Sequence, residues 1–512
     1  MTLFNEILKY DFLSFLRKVF VTLNGDQKFE PNWHLELLAE IIMEIKAGSY
    51  NKRLIVNLPP RSLKSICFSV AWPAWLLGHD KSKKIIVASY AQSLANKHSH
   101  DCRLVMSSEW YQNLFPETKL LKGQNKINKF MTSGNGFRIA TSVGGMMTGE
   151  GADLIVVDDP QNAVQAMSKN MRTRCANWFR QTLMSRLNDK QNGTIALVMQ
   201  RMHAEDLSGV LLSDDSNNWE NIKIPMIAEN DLLYDIGTFK HNFKEGEYMH
   251  NARDNQTVVE KLKYELGSYA FASQYQQNPI QAGGGIIKKS WIKRYNDSIK
   301  SNTKWEMVYQ SWDCAIKAGE NHDYSVCTTW GLYQNRLHLL HVFREQLEYP
   351  YLYKAIMSMS QRYKPNSVLI EDKAAGQQLL QDLTRRANQA ASVETEHIAN
   401  SNLDILDRCD YNSIPAVAVV PKYDKVTRLM LVSPMFENEM VLLPEYADWL
   451  PEFEQELLSF PIDRHDDQVD SLTQMLWWWQ NKNNPQQKQK TNKKIAISAN
   501  NDDSRNWNLG KI

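Results

Sequence analysis

The chain has 512 residues, of which 43% are hydrophobic and 23% are charged, which is enough apolar material for two or three packed domains. Its 59 basic and 58 acidic residues give a net charge of +1, so overall charge does not attract nucleic acid and only local patches can. The six cysteines are dispersed without a CxxC pair, which argues against structural zinc and favours free thiols in a reducing compartment.

The N-terminal run and the longest apolar run argue against secretion or membrane insertion. The N-terminal run MTLFNEILKYDFLSFLRKVF is amphipathic and carries acids within its apolar part, unlike a signal peptide. The longest apolar run, ICFSVAWPAWLLG, is too short to span a bilayer and contains a proline. We therefore expect a soluble intracellular protein.

Strand-like and helical segments alternate from about residue 35 to residue 230. The strand-like segments are short and β-branched, and they lie at 53–58, 84–90, 137–141, 153–159 and 194–200. Helical spacing occurs between them, for example at 65–77 and 91–106. This alternation predicts an α/β domain with a mostly parallel sheet that helices cover on both faces.

The segment LPPRSLKS, residues 58–65, follows the first of these strands and ends in Lys64 and Ser65. A phosphate-binding loop requires a lysine for the β- and γ-phosphates and a hydroxyl for Mg²⁺ at these two positions. The usual glycines would stand where the chain has Leu58 and Leu63. By itself, the segment is equally compatible with a turn before a proline-capped helix.

The segment DLIVVDDP provides the acidic partner that such a loop needs. In an ATPase, Asp158 would hold Mg²⁺ through water and Asp159 would orient the attacking water. The alternative is a strand that ends in a helix-capping pair before Pro160. Because a cationic loop and an acidic strand end occur together, the sequence favours ATP hydrolysis with Mg²⁺.

Further residues are candidates for contacts with the nucleotide. His34 could hydrogen-bond adenine, although a packing role is equally compatible. One of three arginines, Arg61, Arg138 or Arg201, could supply charge to the γ-phosphate, and the sequence does not choose between them. The predicted loop contacts are Arg61, Ser62, Leu63, Lys64 and Ser65.

A second α/β pattern follows a less regular segment, 231–290, that ends in a GGG run at 283–285. Its predicted strands lie at 305–313, 325–333, 336–345 and 367–372, with helices at 350–363 and 466–480. We therefore expect an ATPase domain at 1–230, an irregular linker or subdomain at 231–290, a second domain at 291–480 and a polar, disordered tail at 481–512.

Acidic side chains gather in this second pattern. Asp313 and Glu371 end predicted strands, while Asp466, Asp467 and Asp470 open the last helix. Converging carboxylates repel one another unless cations neutralise them, which is the requirement of a nuclease site with two Mg²⁺ or Mn²⁺ ions. The strand order suggests an RNase H-like fold, with these acids as metal ligands. For each acid alone, a solvated strand end or a helix cap is the alternative.

In combination, these features resemble the large terminase subunit of tailed bacteriophages, from about residue 30 to 480. The segments that carry the resemblance occur in order: PPRSLKS, VASYAQSLANKHSHDCR, ATSVGGMMTGEGADLIVVDDP, VMQRMHAEDLSG, FASQYQQNPI, SWDCAIKAGENHDYS, IEDKAAGQQL and FPIDRHDDQVDSL. Family members commonly have RHGKS where this chain has RSLKS, and many have Glu where it has Asp159.

The resemblance implies an N-terminal P-loop ATPase that drives double-stranded DNA through the portal protein into the procapsid, and a C-terminal RNase H-like endonuclease that cuts concatemeric DNA. Lys64, Ser65 and Asp158 would bind phosphate and Mg²⁺, and Asp159 would be the catalytic carboxylate. The nuclease metals would lie on Asp313, Glu371 and an acid of the Asp466/Asp467 pair.

The resemblance also implies partners and a place of action. These are double-stranded DNA, the portal protein, a small terminase subunit and a homo-oligomeric ring, a pentamer in the family, in the host cytoplasm and transiently at the portal. In VMQR, Gln200 and Arg201 are candidates to couple hydrolysis to movement.

Two other functions remain compatible with the residues. One is a helicase or translocase whose C-terminal domain is not a nuclease. The other is a scaffold that binds DNA and a capsid protein through two sites that have lost their activity.

Overall fold

The computed structural model describes residues 3–145, 149–214, 218–279, 285–296, 299, 303–315, 324–373, 376–385, 414–461 and 466–483. The chain divides into two compact units, Met1–Gln281 and Ala282–Ile512. Both are α/β, as the sequence predicts. Within the described residues, no helix is long and apolar enough to cross a membrane.

The N-terminal unit contains an eight-stranded sheet in the order β3-β4-β5-β2-β6-β7-β1-β8, and a separate hairpin, β9-β10. The strands are β1 (Arg53–Asn57), β2 (Lys84–Ser89), β3 (Leu120–Asn125), β4 (Lys129–Thr132), β5 (Phe137–Ser142), β6 (Leu154–Asp158), β7 (Thr194–Met199), β8 (Glu220–Lys223), β9 (Leu232–Ile236) and β10 (Phe239–Phe243). Pairing is parallel from β5 through β8 and antiparallel at the β3-β4-β5 edge.

Helices cover both faces of this sheet, which confirms the predicted mostly parallel architecture. They are α1 (Leu3–Tyr10), α2 (Phe12–Asn24), α3 (Trp33–Ala47), α4 (Trp72–His79), α5 (Gln92–Ser107), α6 (Glu109–Leu114), α7 (Ala163–Met167), α8 (Lys169–Trp178), α9 (Leu207–Asp214) and α10 (Gln256–Gln274). Alternate residues of β1 enter different cores: Leu54 and Val56 pack with α2 to α5, whereas Ile55 packs with α8 and α9.

The C-terminal unit contains a seven-stranded sheet in the order β11-β17-β14-β13-β12-β15-β16. Its strands are β11 (Lys293–Tyr295), β12 (Met307–Asp313), β13 (Ser325–Tyr333), β14 (Arg336–Glu345), β15 (Ser367–Glu371), β16 (Ala416–Val419) and β17 (Val441–Pro444). Its helices are α11 (Tyr349–Tyr363), α12 (376–385), α13 (Lys425–Glu437), α14 (Leu450–Ser459) and α15 (Asp467–Asn483).

Pairing in this sheet follows the RNase H pattern that the sequence suggests. The three consecutive strands β12, β13 and β14 are antiparallel, and β15 and β16 then add in parallel on the other side of β12. Helix α15 packs on the sheet through Val469, Leu472 and Leu476, which are buried as their helical spacing predicts.

The segment 231–290, expected to be irregular, has regular structure over much of its length. It contains the β9-β10 hairpin and α10, and the part up to Gln281 lies in the N-terminal unit. No sequence pattern indicates this, because each hairpin strand has five residues of which only one is buried, and α10 has a kink at Gly267. The expected tail from 484 onward and Cys409 lie outside the described residues.

Candidate functional site

The first candidate site lies at the carboxyl edge of three adjacent parallel strands, β1, β7 and β6. The loop with Lys64 follows β1, Gln200 follows β7, and Asp158 and Asp159 end β6. In parallel sheets this edge is where ligands bind, because the ends of neighbouring strands meet there. The loop and the acidic pair, separate in the sequence, are therefore brought together as predicted.

The loop adopts a left-handed backbone without glycine. Arg61 has a φ of 63° and Leu63 a φ of 60°, a region that non-glycine residues seldom occupy. Contacts around the loop hold this shape: Ser62 Oγ donates to Pro59 O at 2.5 Å, and Arg253 Nη1 donates to Arg61 O at 2.8 Å. Leu63 also packs against the hydrophobic core. Packing and side-chain bonds therefore do here what glycine does in other such loops.

Asp158 is completely buried and accepts hydrogen bonds from two hydroxyls. Ser65 Oγ donates to Oδ1 at 3.1 Å, and Ser69 Oγ donates to Oδ2 at 2.7 Å. His98 Nδ1 lies 3.5 Å from Oδ2, and burial lowers the pKa of His98 to about 4, so this ring is neutral at physiological pH. Burial raises the pKa of Asp158, against the opposing effects of Ser69 and Lys64.

Lys64 lies between the acidic pair and the end of β7. Its Nζ is 3.3 Å from Asp159 Oδ2 and 3.4 Å from Gln200 Oε1. Asp159 has a φ of 45°, and its main chain is fixed by Asp159 N donating to Val198 O and by Tyr90 N donating to Asp159 O. Its buried Oδ1 has no hydrogen-bond partner within the described residues, so one carboxylate oxygen remains available for a ligand.

An aspartate suits the left-handed backbone conformation of residue 159. Asp and Asn tolerate the left-handed region better than most side chains do. The positive φ of Asp159 thus gives a local reason for an aspartate at this position. The hydroxyl of Ser65 beside the carboxylate of Asp158 is also a donor set that suits Mg²⁺, which binds oxygen ligands.

Of the two roles that the sequence leaves open for His34, packing is the one that its surroundings fit. It is 2% exposed, its Nδ1 accepts from Asn32 Nδ2 at 2.8 Å, and its Nε2 donates to Ser62 O at 3.3 Å. Burial lowers its pKa to about 3, so the ring is neutral. Both ring nitrogens are engaged, one of them with the loop carbonyl of Ser62. The contact with adenine that the sequence suggests is therefore corrected to a contact with the loop.

The three candidate arginines have different surroundings. Arg61 is exposed on the loop. Arg138 is fully buried and donates from Nη2 to Ser69 O at 3.0 Å. Arg201 donates from Nε to both oxygens of the buried Asp206 at 3.0 Å. Of these three, only Arg61 presents its side chain to solvent beside the loop.

Two further residues support the turn after β7, and sequence reasoning assigned no role to either. Asp206 accepts from Met202 N and Gly209 N as well as from Arg201, so it organises this turn. Gln277 Oε1 accepts from Arg201 N at 2.8 Å, which connects the end of α10 to the same turn. The segments VMQRMHAEDLSG and FASQYQQNPI contain both residues, but no local pattern indicates that the two segments meet.

The second candidate site lies in the C-terminal unit at the ends of β12 and β15. These strands are parallel neighbours, so Asp313 and Glu371 lie at the same edge. They line a cavity of about 190 Å³ together with Cys314 and Lys373. Burial, followed by the charges of Asp470, Glu371 and Asp467, raises the pKa of Asp313 well above its usual value.

The acids of α15 divide into two groups. Lys425 Nζ lies 2.6 Å from Asp466 Oδ1 and 2.8 Å from Asp470 Oδ2, and Arg428 Nη2 lies 2.6 Å from Asp470 Oδ1. Asp467 instead accepts a long hydrogen bond from Tyr324 N at 3.4 Å. Two of the five predicted metal ligands, Asp466 and Asp470, are thus paired with cations of α13.

The acids that the sequence predicts as metal ligands lie near one another without forming a close group. In the part of the chain that the structure describes, no three His, Cys, Asp or Glu side chains are close enough to hold a metal ion. Glu371 pairs with Lys373 at 3.0 Å. The mutual repulsion that raises the pKa of Asp313 nevertheless marks a place that a divalent cation would suit electrostatically.

Glu456 of α14 is a further residue that sequence reasoning missed. Its Oε1 accepts from Gln468 N and Val469 N, and its Oε2 accepts from Gln468 Nε2. It therefore binds the free amides at the start of α15, the turn that carries Asp467. The contact joins two helices, so no local sequence pattern predicts it.

Comparison with known proteins agrees with this arrangement. Residues 310–477 match the family model "Terminase RNaseH-like domain". The large terminase of the thermophilic bacteriophage D6E aligns with 87% of this chain and 98% of its own, at 11% identity and a TM-score of 0.51. No curated protein sequence matches the chain.

Two further solved structures align over a similar length with lower scores. D6E large terminase in complex with ATP-γ-S covers 87% of this chain and 98% of its own, at 11% identity and a TM-score of 0.47. The large terminase of bacteriophage HK97 covers 91% and 99%, at 10% identity and a TM-score of 0.34. The fold comparison rests on the first D6E structure.

The chain is thus a two-unit α/β protein whose C-terminal unit is an RNase H-like domain and which shares its overall fold class with a large terminase. The family match confirms the resemblance to terminases over residues 310–477, and the D6E large terminase adds a shared fold over most of the chain.

The strained loop leads to a prediction about stability. Leu63→Val should lower the melting temperature more than Leu63→Gly, although valine keeps more apolar volume, because a β-branched residue is the worse fit to positive φ. Thermal unfolding of the ligand-free protein measures both. The same two substitutions at Leu76, within α4, should rank in the opposite order, since glycine is the poorer residue in a helix. Equal or better stability of Leu63→Val would contradict the strain.

The carboxylates around Asp313 lead to a prediction about how stability depends on pH. The folded-state pKa of Asp313 is raised, so its charge disfavours folding once the pH exceeds the unfolded value. Asp313→Asn should match the wild type below about pH 4. It should then become the more stable protein as the pH rises toward the folded-state pKa, and remain so above it.

Melting temperatures measured across this pH range in EDTA test the expectation. Asp448→Asn, a substitution of an exposed aspartate in the same unit, is the matched control and should change little at any pH. A destabilised Asp313→Asn at pH 8 would show that repulsion does not dominate at this position.

Proposed function

We propose that the chain is the large subunit of a phage DNA-packaging terminase, with an ATPase that moves double-stranded DNA and an endonuclease that cuts it. The observation that carries the proposal is the combination, in one chain, of a lysine-serine loop facing an acidic strand end with a terminase RNaseH-like domain. Either feature alone occurs in many unrelated proteins; together they fit a packaging enzyme.

In the N-terminal unit, Lys64 and the amides of residues 61–65 would bind the β- and γ-phosphates of ATP. Ser65 and Asp158 would hold Mg²⁺, which when bound supplies positive charge to the phosphate oxygens. The Nζ of Lys64 lies 3.3 Å from Asp159 Oδ2, so the lysine neutralises this carboxylate. A γ-phosphate would attract this lysine, leaving Asp159 free to orient the attacking water, with the exposed Arg61 contributing charge from the loop.

In the C-terminal unit, Asp313, Glu371 and Asp467 would hold the divalent metal of the nuclease. Asp313 and Glu371 line the cavity. Asp467 raises the pKa of Asp313 and accepts a hydrogen bond from Tyr324 N, whereas Asp470 is paired with α13. The metal, Mg²⁺ or Mn²⁺, would supply Lewis-acid charge at the scissile phosphate. Asp466 and Asp470 would remain ion-paired and fix the start of α15.

The proposed partners follow from this role. They are double-stranded DNA, the portal protein and a small terminase subunit, with several copies of the chain arranged as a ring, a pentamer by family resemblance, while DNA is packaged. The place of action would be the host cytoplasm and, transiently, the portal of the procapsid.

A second function, a DNA translocase without nuclease activity, has one observation in its favour. Three of the candidate acids, Glu371, Asp466 and Asp470, form ion pairs with Lys373, Lys425 and Arg428, and the described residues contain no three-carboxylate cluster. Under this alternative the RNase H-like unit would bind DNA or a capsid protein.

Two substitutions separate these functions. Lys64→Ala should abolish ATP hydrolysis, because the cation that would bind phosphate is removed, and should leave DNA cutting in Mn²⁺ intact. Asp313→Ala should abolish cutting and leave ATP hydrolysis intact. Phosphate release and plasmid nicking measure the two activities.

Lys81→Ala, at a side chain that is 41% exposed, and Asp448→Ala, at an exposed residue, are the matched controls and should retain both activities. ATP hydrolysis by a wild-type protein that leaves DNA intact would favour the translocase. Cutting by Asp313→Ala at the wild-type rate would reject the assigned nuclease site. A wild-type protein that turns over no ATP, even with DNA and portal, would favour a scaffold.

A further inference from the structure

The carboxylate of Asp158 has a closer hydroxyl partner than the serine of the phosphate-binding loop. Ser69 Oγ donates to Oδ2 at 2.7 Å, whereas Ser65 Oγ donates to Oδ1 at 3.1 Å. Each oxygen of the buried carboxylate therefore has its own serine. Because two fixed hydrogen bonds, one per oxygen, define the plane of a carboxylate, Ser69 determines how Asp158 is turned as much as Ser65 does.

The position of Ser69 depends on an unusual helical turn. Residues Ile66–Ala71 form a π-helix directly after the loop, in which Trp72 N donates to Cys67 O five residues earlier. Such turns are rare in proteins, and those that occur are often found at functional sites. Ser69 lies within this turn, is completely buried and directs its hydroxyl toward the end of β6.

The main chain of Ser69 is held by a buried arginine. Arg138 of β5 is 0% exposed, and its Nη2 donates to Ser69 O at 3.0 Å. Its Nε and Nη1 have no hydrogen-bond partner within the described residues. A guanidinium buried with so few bonds is costly for folding, so it is a poor choice for stability alone.

The negative charge of Asp158 offsets part of the free-energy cost of burying the Arg138 guanidinium. Arg138 and Asp158 attract one another across Ser69, whose carbonyl contacts the arginine and whose hydroxyl contacts the aspartate. Arg138, Ser69 and Asp158 thus form one connected chain from β5 to β6. Its end is the carboxylate that, under the proposed function, binds Mg²⁺.

From this geometry we infer that Ser69 and Arg138 are positioning residues for Mg²⁺ binding: Arg138 fixes the π-helical turn, and Ser69 orients the Asp158 carboxylate toward the metal. The inference rests on the proposed ATPase function. Both residues are completely buried and lie outside the proposed phosphate-binding residues 61–65, so removal of the Ser69 hydroxyl should weaken Mg²⁺ binding and leave metal-free nucleotide binding unchanged.

The test compares Ser69→Ala with Ser99→Ala in the full-length chain. Both serines are completely buried, but Ser99 Oγ has no hydrogen-bond partner within the described residues. Titration of Mg²⁺ into protein saturated with ADP measures metal affinity. Titration of ADP in EDTA measures nucleotide affinity without metal.

We expect Ser69→Ala to weaken Mg²⁺ binding about tenfold, the effect of one lost hydrogen bond to a charged group, with ADP affinity in EDTA unchanged. Ser69→Cys, which keeps a weaker donor of similar size, should fall between Ser69→Ala and the wild type. Arg138→Lys, which keeps the charge but lacks the planar donor group, should shift Mg²⁺ affinity in the same direction. Ser99→Ala should behave as the wild type.

Each other outcome is decisive. Wild-type Mg²⁺ affinity in Ser69→Ala, or an equal loss in Ser99→Ala, would overturn the positioning role and leave the proposed ATPase standing. A loss of ADP affinity in EDTA that matches the loss of Mg²⁺ affinity would mean a general structural role. If Ser69→Ala does not fold, Ser69→Cys decides by the same comparison. A wild-type protein that binds no ADP with or without Mg²⁺ would overturn both the inference and the proposed ATPase.

Discussion

The N-terminal unit depends on one arrangement of buried charge, the ammonium of Lys64 beside the carboxylates of Asp158 and Asp159. Lys64 is 5% exposed and Asp158 is fully buried, so these groups have lost most of their hydration. Buried ion pairs contribute little net stability, because desolvation offsets their attraction. The sheet order, the left-handed loop and the π-helical turn bring these charges together, at the place where the proposed function puts phosphate and Mg²⁺.

The backbone around these charges carries strain that the surrounding structure compensates. Leu63, Arg61 and Asp159 all have positive φ, and none of them is glycine. Each such residue costs about 1–3 kcal/mol where the environment does not favour it. Core packing of Leu63, the Arg253 bond to the loop and two main-chain bonds at Asp159 hold these conformations. The loop is thus defined by its contacts more than by its own composition.

The C-terminal unit has the opposite electrostatic problem, an excess of acid at one sheet edge. Asp313 and Glu371 are brought together because their strands are parallel neighbours, and Asp467 is presented by a helix that Glu456 holds at its start. Lysines and an arginine from nearby segments neutralise part of this charge. The charges that act on Asp313 are mostly acidic, which makes this residue the centre of the candidate nuclease site.

Local patterns along the chain were enough to predict the main elements and to select the candidate site residues. Periodicity and β-branched runs located the central strands of both sheets to within a residue or two, and placed Lys64, Asp158, Asp313 and Glu371 at strand ends. These features are readable because they depend on neighbours along the chain. The order of short segments likewise carries the resemblance to large terminases.

The partners of these residues, in contrast, follow from the folded arrangement. It pairs Asp466 and Asp470 with α13, brings His34 into contact with the loop, and connects Ser69 and Arg138 to Asp158. These contacts join residues from distant parts of the chain, and one sequence contains no local signal for them. The sequence therefore specifies what each strand end carries, whereas the folded sheets specify which side chains meet there, because proximity across a sheet depends on strand order.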